Sequence, residues 1–267
     1  MNDIKISIIT VCLNARELLQ NTILSVQKQD YQNIEYIIQD GSSVDGTLNM
    51  IEEKTKFFNK SVMLFTEKDQ GIYDAMNKAA AKATGDYILF LNAGDTFANC
   101  EVIKNVVWKI RQHSNGDVFF GDIILVEKGG KELRRKFSHI CGNKLYFLSG
   151  DAICHQAIIA RKICVQNYPF LLEYKVCADR EWMLRLFAEK KKFVCIDTLI
   201  CKCNMEGFSS SNQSLYEKEV KRCIKRYLAY GYPVYLLIEI CKKNEKLRNC
   251  LRKLGRFFFW ETGGKKI

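Results

Sequence analysis

Short runs rich in Ile, Val and Leu alternate with helix-length stretches through the first half of the chain, and that rhythm leaves few folds open. Ile4–Val11 reads as a buried parallel strand, since branched apolar side chains fall on both of its faces. A polar turn, Leu13-Asn14-Ala15-Arg16, leads to a helical stretch over Glu17–Gln29. Ile34–Gln39 is a second strand, closed by Asp40-Gly41-Ser42-Ser43 and Asp45-Gly46-Thr47 before a helix through Met50 to Phe57. Val62–Thr66 is a third strand. Ile72–Ala83 is a helix with Ala75, Met76, Ala79 and Ala80 on its inner face, and Gly85 stops it. Tyr87–Leu91 is a fourth strand, followed by a helix over Glu101–Gln112 and a strand over Val118–Val126. The spacing predicts an α/β fold with an open, mostly parallel sheet.

In such a sheet ligands bind beyond the carboxyl ends of the strands. The loops at those ends are all polar or acidic. They carry Cys12 and Asn14 after the first strand and Asp40 after the second. Glu67, Asp69 and Gln70 follow the third strand, and Asn92 and Asp95 the fourth. One acidic residue in such a place is commonly a cap or a turn former. Four such loops on one edge point to a site. Neither GxGxxG nor GxxxxGK[ST] occurs, which excludes a dinucleotide fingerprint and a phosphate-binding P-loop. Carboxylates in place of glycines and lysines suggest a divalent cation bridging to phosphate oxygens.

Charge separates the chain into two parts. Of the net +11, +9 lies in residues 214–267, where fourteen Lys and Arg face five Asp and Glu. A nearly neutral body lacks the broad basic face of a nucleic-acid binder. The tail interleaves Leu236, Leu237, Ile240, Leu247, Leu251 and Phe257 to Trp260 with Lys242, Lys243, Arg248, Arg252 and Arg256. That pattern predicts an amphipathic helix lying on an anionic membrane, with a helix packed on the body as the alternative. No run is long enough to span a bilayer. The twelve cysteines include no CxxC pair, and no cleavage site follows the first apolar run. Free thiols in a reducing cytosol are therefore expected, with Cys12 open to thiol reagents.

Two strings carry a family resemblance. ISIITVCLNARELLQNTILSVQKQDYQNIEYIIQDGSSVDGT and DQGIYDAMNKAAAKATGDYILFLNAGD resemble the opening blocks of family 2 glycosyltransferases. The match is nearest to the bacterial branch that builds capsule, O-antigen and other exopolysaccharides, and it covers roughly residues 4–205. It implies a GT-A fold, with a Rossmann-like sheet flanked by helices and a C-terminal helical extension. It also implies a nucleotide-sugar donor, UDP in particular, and Mn²⁺ or Mg²⁺. The domain boundaries that follow are 1–213 for the transferase and 214–267 for the tail. The donor half is 1–100 and the acceptor half 101–213.

By the same resemblance Thr10 and Asn14 flank the donor nucleotide, and Asp40 reads its base through a charge-assisted hydrogen bond. Asp69, Gln70, Asp74 and Asn77 lie near the ribose and base. Asn92-Ala93-Gly94-Asp95 stands where the family has its DxD-like motif, so Asp95 is the one carboxylate left there for the metal. His155 and Gln156 resemble a site element facing acceptor or phosphate, with His155 as a further metal candidate. Asp179 matches the catalytic base, which takes the acceptor hydroxyl's proton in an inverting transfer. Glu181 is the runner-up, or else pairs with Arg180 or Arg185. Asp122 reads as a structural or acceptor-site residue, Lys131–Lys136 as a solvated hairpin, and Gly207–Ser211 as a lid loop.

The reading is a metal-dependent, inverting glycosyltransferase that moves a sugar onto a glycan or lipid-linked acceptor. It would act in the cytoplasm, peripheral on the inner face of the bacterial membrane, through residues 232–267. The alternative is a degenerate GT-A domain that binds nucleotide sugar or glycan without turnover.

Overall fold

β1 (Ile6–Cys12) is buried along its whole length, as a strand must be when neighbours flank it and helices cover both faces. It pairs in parallel with β2 (Ile34–Asp40) on one side and β4 (Tyr87–Phe90) on the other, and β3 (Ser61–Thr66) pairs in parallel with β2 as the half-exposed edge. The computed structural model describes residues 3–137, 153–204 and 212–243.

Parallel neighbours need crossover connections, which helices on the faces of the sheet supply. These are α1 (Arg16–Gln27), α2 (Thr47–Thr55) and α3 (Ile72–Lys82). α1 buries Leu19, Ile23 and Val26, and α3 buries Met76, Ala79 and Ala80, the spacing of a single inner stripe. α2 starts earlier than its apolar pattern suggests. Asp45 Oδ1 accepts hydrogen bonds from Thr47 N at 3.0 Å and from its hydroxyl at 2.5 Å, which starts the helix at Thr47.

The second half of the chain turns the sheet mixed. The order is β3-β2-β1-β4-β8-β6-β9-β5, with β7 on β6. β8 (Ile158–Arg161) runs antiparallel to both β4 and β6 (Val118–Val126), while β9 (Phe193–Asn204) runs parallel to β6. β5 (Thr96–Phe97) pairs antiparallel with β9, and β7 (Glu132–Arg135) with β6. The alternating rhythm did not disclose β5, β7 and β8: β5 and β7 follow β4 and β6 with no helix between, and all three are short. The Lys131–Lys136 stretch is the β6–β7 hairpin. Asp122 braces it by accepting hydrogen bonds from Arg134 Nη2 and Phe137 N at 3.0 Å.

Gly121 permits the irregularity between β6 and β9. A Cβ there would sit 2.3 Å from Thr198 O. α4 (Val102–Gln112) covers this half with Val102, Ile103, Val106, Val107 and Ile110. α5 (Lys162–Gln166) follows β8. α6 (Ala178–Ala188) is buried nearly all round, and α7 (Gln213–Tyr227) packs against it. α8 (Tyr232–Lys243) turns Tyr235 inward and leaves Val234, Leu236, Leu237 and Ile240 exposed. Among the described residues no helix is long and apolar enough to cross a membrane. The Gly207–Ser211 loop and the tail from residue 244 onward, including Phe257 to Trp260, lie outside the described residues.

Candidate active site

A cleft of about 350 Å³ opens beyond the carboxyl ends of β1 and β3, where an open α/β sheet places its ligands. Cys12 and Leu13 form one wall, Asp69 to Tyr73 at the start of α3 the floor, and Leu172, Tyr174 and Lys175 the far wall. Two carboxylates shape the floor. Asp69 Oδ1 accepts from Gly71 N at 2.9 Å, and Asp74 Oδ2 accepts from Gln70 N at 2.9 Å. Gly71 has φ +121°, a conformation that favours glycine, and it lets the chain turn into the helix.

Deeper in, a chain of polar side chains links β4, β8 and α6. Asn92 Nδ2 lies 2.9 Å from His155 Nε2, and His155 Nδ1 lies 3.1 Å from Asp179 Oδ2. Both ring nitrogens are thus engaged by protein groups. Asp179 Oδ1 accepts from Arg180 N at 2.8 Å and lies 3.1 Å from the Tyr73 hydroxyl. Burial pushes the Asp179 carboxyl up, but the hydrogen bond and charge of His155, with the Arg180 and Tyr73 donors, outweigh it and hold it below the usual range. Asp179 is therefore ionised, with its side chain about 20% exposed. Burial also keeps the Tyr73 hydroxyl protonated.

Beside this chain lies Asp95, 5% exposed. Its Oδ2 accepts from Gln156 Nε2 at 2.8 Å and its Oδ1 from Asn204 N at 3.2 Å. Burial pushes its pKa up to about 6, against the pull of Gln156, Asn204 and His155. A divalent cation fits this corner. A desolvated carboxylate gains from a nearby positive charge, and Asn92 Oδ1 is buried without a hydrogen-bond partner, a second oxygen of the kind such ions take. Among the described residues no group of three or more His, Cys, Asp and Glu is set to hold a metal ion, so donor oxygens would complete the shell.

The structure thus brings together Asp69 and Gln70 at the cleft, and Asn92, Asp95, His155, Gln156 and Asp179 below it. Other candidates are engaged by protein partners. Thr10 is fully buried, with its hydroxyl donating to Leu91 O at 2.7 Å and accepting from Tyr36 at 3.0 Å. Asp40 is fully buried too, and both its oxygens accept from Ser43, at 2.5 Å and 2.8 Å. Asn14 ties two loops by accepting from Val44 N at 3.0 Å. Asn77 holds the backbone of Phe170 with two 2.8 Å bonds. Glu181 is buried in a pair with Arg185 at 3.1 Å and accepts from the Tyr227 hydroxyl, which is the structural role its spacing from Arg185 allowed. Cys12 lines the cleft, but burial and the Asp40 charge push its thiol far up, so it stays protonated and unreactive. Gly150 to Ala152, the start of the His155 block, lie outside the described residues.

Tyr73, Tyr174, Lys175 and Asn204 belong to the site and were not assigned from sequence. Tyr73 stood inside the quoted DQGIYDAMN string, which was the signal for it. The other three carry no local pattern.

Comparison with known proteins agrees with this geometry. Residues 7–166 match glycosyl transferase family 2. A PGL/p-HBAD biosynthesis glycosyltransferase of Mycobacterium bovis is 30% identical over 188 residues, 68% of this chain and 69% of the relative. An uncharacterized glycosyltransferase of Mycobacterium tuberculosis is 30% identical over 217 residues, 78% of each chain. The S. aureus TarS 1-349 structure in complex with UDP-GlcNAc superposes with TM-score 0.66 at 19% identity, over 95% of this chain and 73% of that one. In a further TarS structure this chain spans 43% of the length. The mannosyltransferase PcManGT from Pyrobaculum calidifontis, in complex with GDP-Man and Mn²⁺, superposes with TM-score 0.63 at 12% identity, over 97% and 82%. At these identities the structures speak for the GT-A fold, and the sequence match over most of the sheet and its loops speaks for the chemistry: the chain belongs to glycosyl transferase family 2.

Proposed function

We propose that this glycosyltransferase is an inverting enzyme that takes its sugar from a nucleoside diphosphate, UDP by preference, and passes it to a hydroxyl of a glycan or lipid-linked acceptor. The observation that carries the reading is the setting of Asp179. It is an ionised carboxylate at the start of α6, in contact with the cleft residue Tyr73 and joined through His155 and Asn92 to the Asp95 corner. One ionised carboxylate is what an inverting transfer asks for, since the nucleotide is already a good leaving group. Asp179 takes the acceptor proton. His155, held from both sides, fixes the carboxylate and supports its negative charge. The nucleoside rests in the cleft between Leu13 and Lys175, with Asp69 and Gln70 beneath it. Asp95 and Asn92 would hold Mn²⁺ or Mg²⁺, whose positive charge would offset that of the diphosphate leaving group.

Related folds that hold UDP-GlcNAc, or GDP-Man with Mn²⁺, support a nucleotide sugar and a metal in this one. The exposed apolar residues of α8 and the basic charge of residues 232–267 support attachment to an anionic membrane surface, where lipid-linked acceptors lie. Surface polysaccharide synthesis, of capsule or O-antigen type, is the process this arrangement suits.

Asp179→Asn keeps the shape of the base and removes its proton affinity. Its kcat should fall by about 10²–10⁴-fold, while UDP with Mn²⁺ still raises the melting temperature as in the wild type. Turnover at the wild-type rate would remove Asp179 as the base. A wild type that binds UDP but turns over no UDP-sugar with any glycan would favour the degenerate, binding-only domain.

A further inference from the structure

α7 lies beyond the segment matched to the family and opens the basic C-terminal stretch, yet it is built into the site. Glu219, in its second turn, is 5% exposed. It accepts hydrogen bonds from three successive backbone amides: Lys175 N at 2.7 Å on Oε1, and Val176 N at 3.0 Å and Cys177 N at 3.1 Å on Oε2. These amides stand just before α6, where no strand or helix satisfies them, and the N-cap residue Cys177 makes no side-chain cap bond of its own. A carboxylate suits the place twice over. Its charge strengthens each hydrogen bond, and it sits at the positive end of the α6 dipole. Two more contacts come from the same helix. The Tyr216 hydroxyl lies 3.4 Å from Arg180 Nη1, and the Tyr227 hydroxyl donates to Glu181.

The segment so held has consequences at both ends. Tyr174 and Lys175 form a wall of the cleft, and Asp179 is the second residue of α6. We propose that Glu219 is a positioning residue of the transferase, a clamp from α7 that sets the distance between the cleft wall and Asp179. The catalytic part of this proposal rests on the reading of Asp179 as the base. Glu219 itself touches no reacting group. It follows that the transferase does not end near residue 213, and that α7 belongs to the catalytic body.

Glu219→Gln tests the clamp. The amide has the same size, but its NH₂ meets an N–H, so at least one backbone amide loses its acceptor. A misplacement on the order of 1 Å costs about 10²-fold in rate, so kcat/KM should fall by about 10–100-fold. Hydrogen exchange should quicken in peptides covering residues 174–178 and stay unchanged in the sheet. Val220→Ala removes buried volume from the next position of the same helix without touching those amides. It should lower the melting temperature while leaving kcat and KM at wild-type values. Wild-type kinetics in Glu219→Gln, unchanged exchange at residues 174–178, or an equal kinetic loss in Val220→Ala would each overturn the proposal. Asp179→Asn is assayed alongside. Turnover in that variant would remove the base, while the exchange data still judge the clamp, so the two failures are told apart.

Discussion

Buried carboxylates in this chain are answered in different ways, and the answer decides what each does. Asp95 meets an amide and a backbone N–H, yet burial still raises its pKa to about 6. Asp179 meets His155 and stays ionised. Glu35, on β2, is structural. Burial pushes it up, but the Lys5 ammonium at 2.7 Å and the Ser7 and Thr84 hydroxyls at 2.5 Å overcome that and lower its pKa to about 2. A folded pKa below the unfolded one stabilises the fold above the unfolded value, and that stability is lost as pH falls toward the folded one. Unfolding free energy should therefore drop as pH is lowered from about 4.5 toward 2. Glu35→Gln should be less stable at neutral pH by roughly 3 kcal/mol and should show a flatter profile in that window. Urea titrations at a series of pH values measure both.

At the scale of elements, the rhythm disclosed β1 to β4, β6 and α1 to α4, where apolar strands and amphipathic helices alternate. The close approach of β1 to the loop before β4 was marked only by Gly85. A Cβ on that residue would stand 2.8 Å from Ser7 N and 2.9 Å from Lys5 O, both backbone atoms of the β1 region. Gly85→Ala must push two segments apart, at a cost of about 1–3 kcal/mol, read as a lower denaturation midpoint at unchanged m-value. α8 offers a contrasting case. Its apolar residues Leu236, Leu237 and Ile240 are between 38% and 61% exposed, so they can leave water only against another surface. Replacing all three by Ser should abolish pelleting with anionic liposomes and leave the melting temperature unchanged. Pelleting at the wild-type level would place membrane contact elsewhere or nowhere.

For the whole molecule, local information and tertiary information divide along a physical line. Periodic apolar patterning, turn chemistry and the two strings over residues 6–47 and 69–95 were enough to name the fold, the edge that carries the site and the family. Asp95 and Asp179 were singled out by their match to the family's blocks, one after a strand and the other at a helix start, and such matches are local facts. Whether Thr10, Asp40, Asn77 and Glu181 face a ligand or a protein partner was not local. Tyr36 and Leu91 satisfy Thr10, Ser43 satisfies Asp40, Phe170 satisfies Asn77, and Arg185 with Tyr227 satisfies Glu181. Several of those partners lie tens of residues away in sequence. The same holds for the His155–Asp179 contact, for the cleft wall at Tyr174 and Lys175, and for Glu219 on amides more than forty residues before it. The sequence by itself determined which groups carry charge and where the chain turns. Only the folded chain decided which donors each of those charges meets and how far it is taken out of water, because hydrogen bonds and desolvation depend on distance in space and not along the chain.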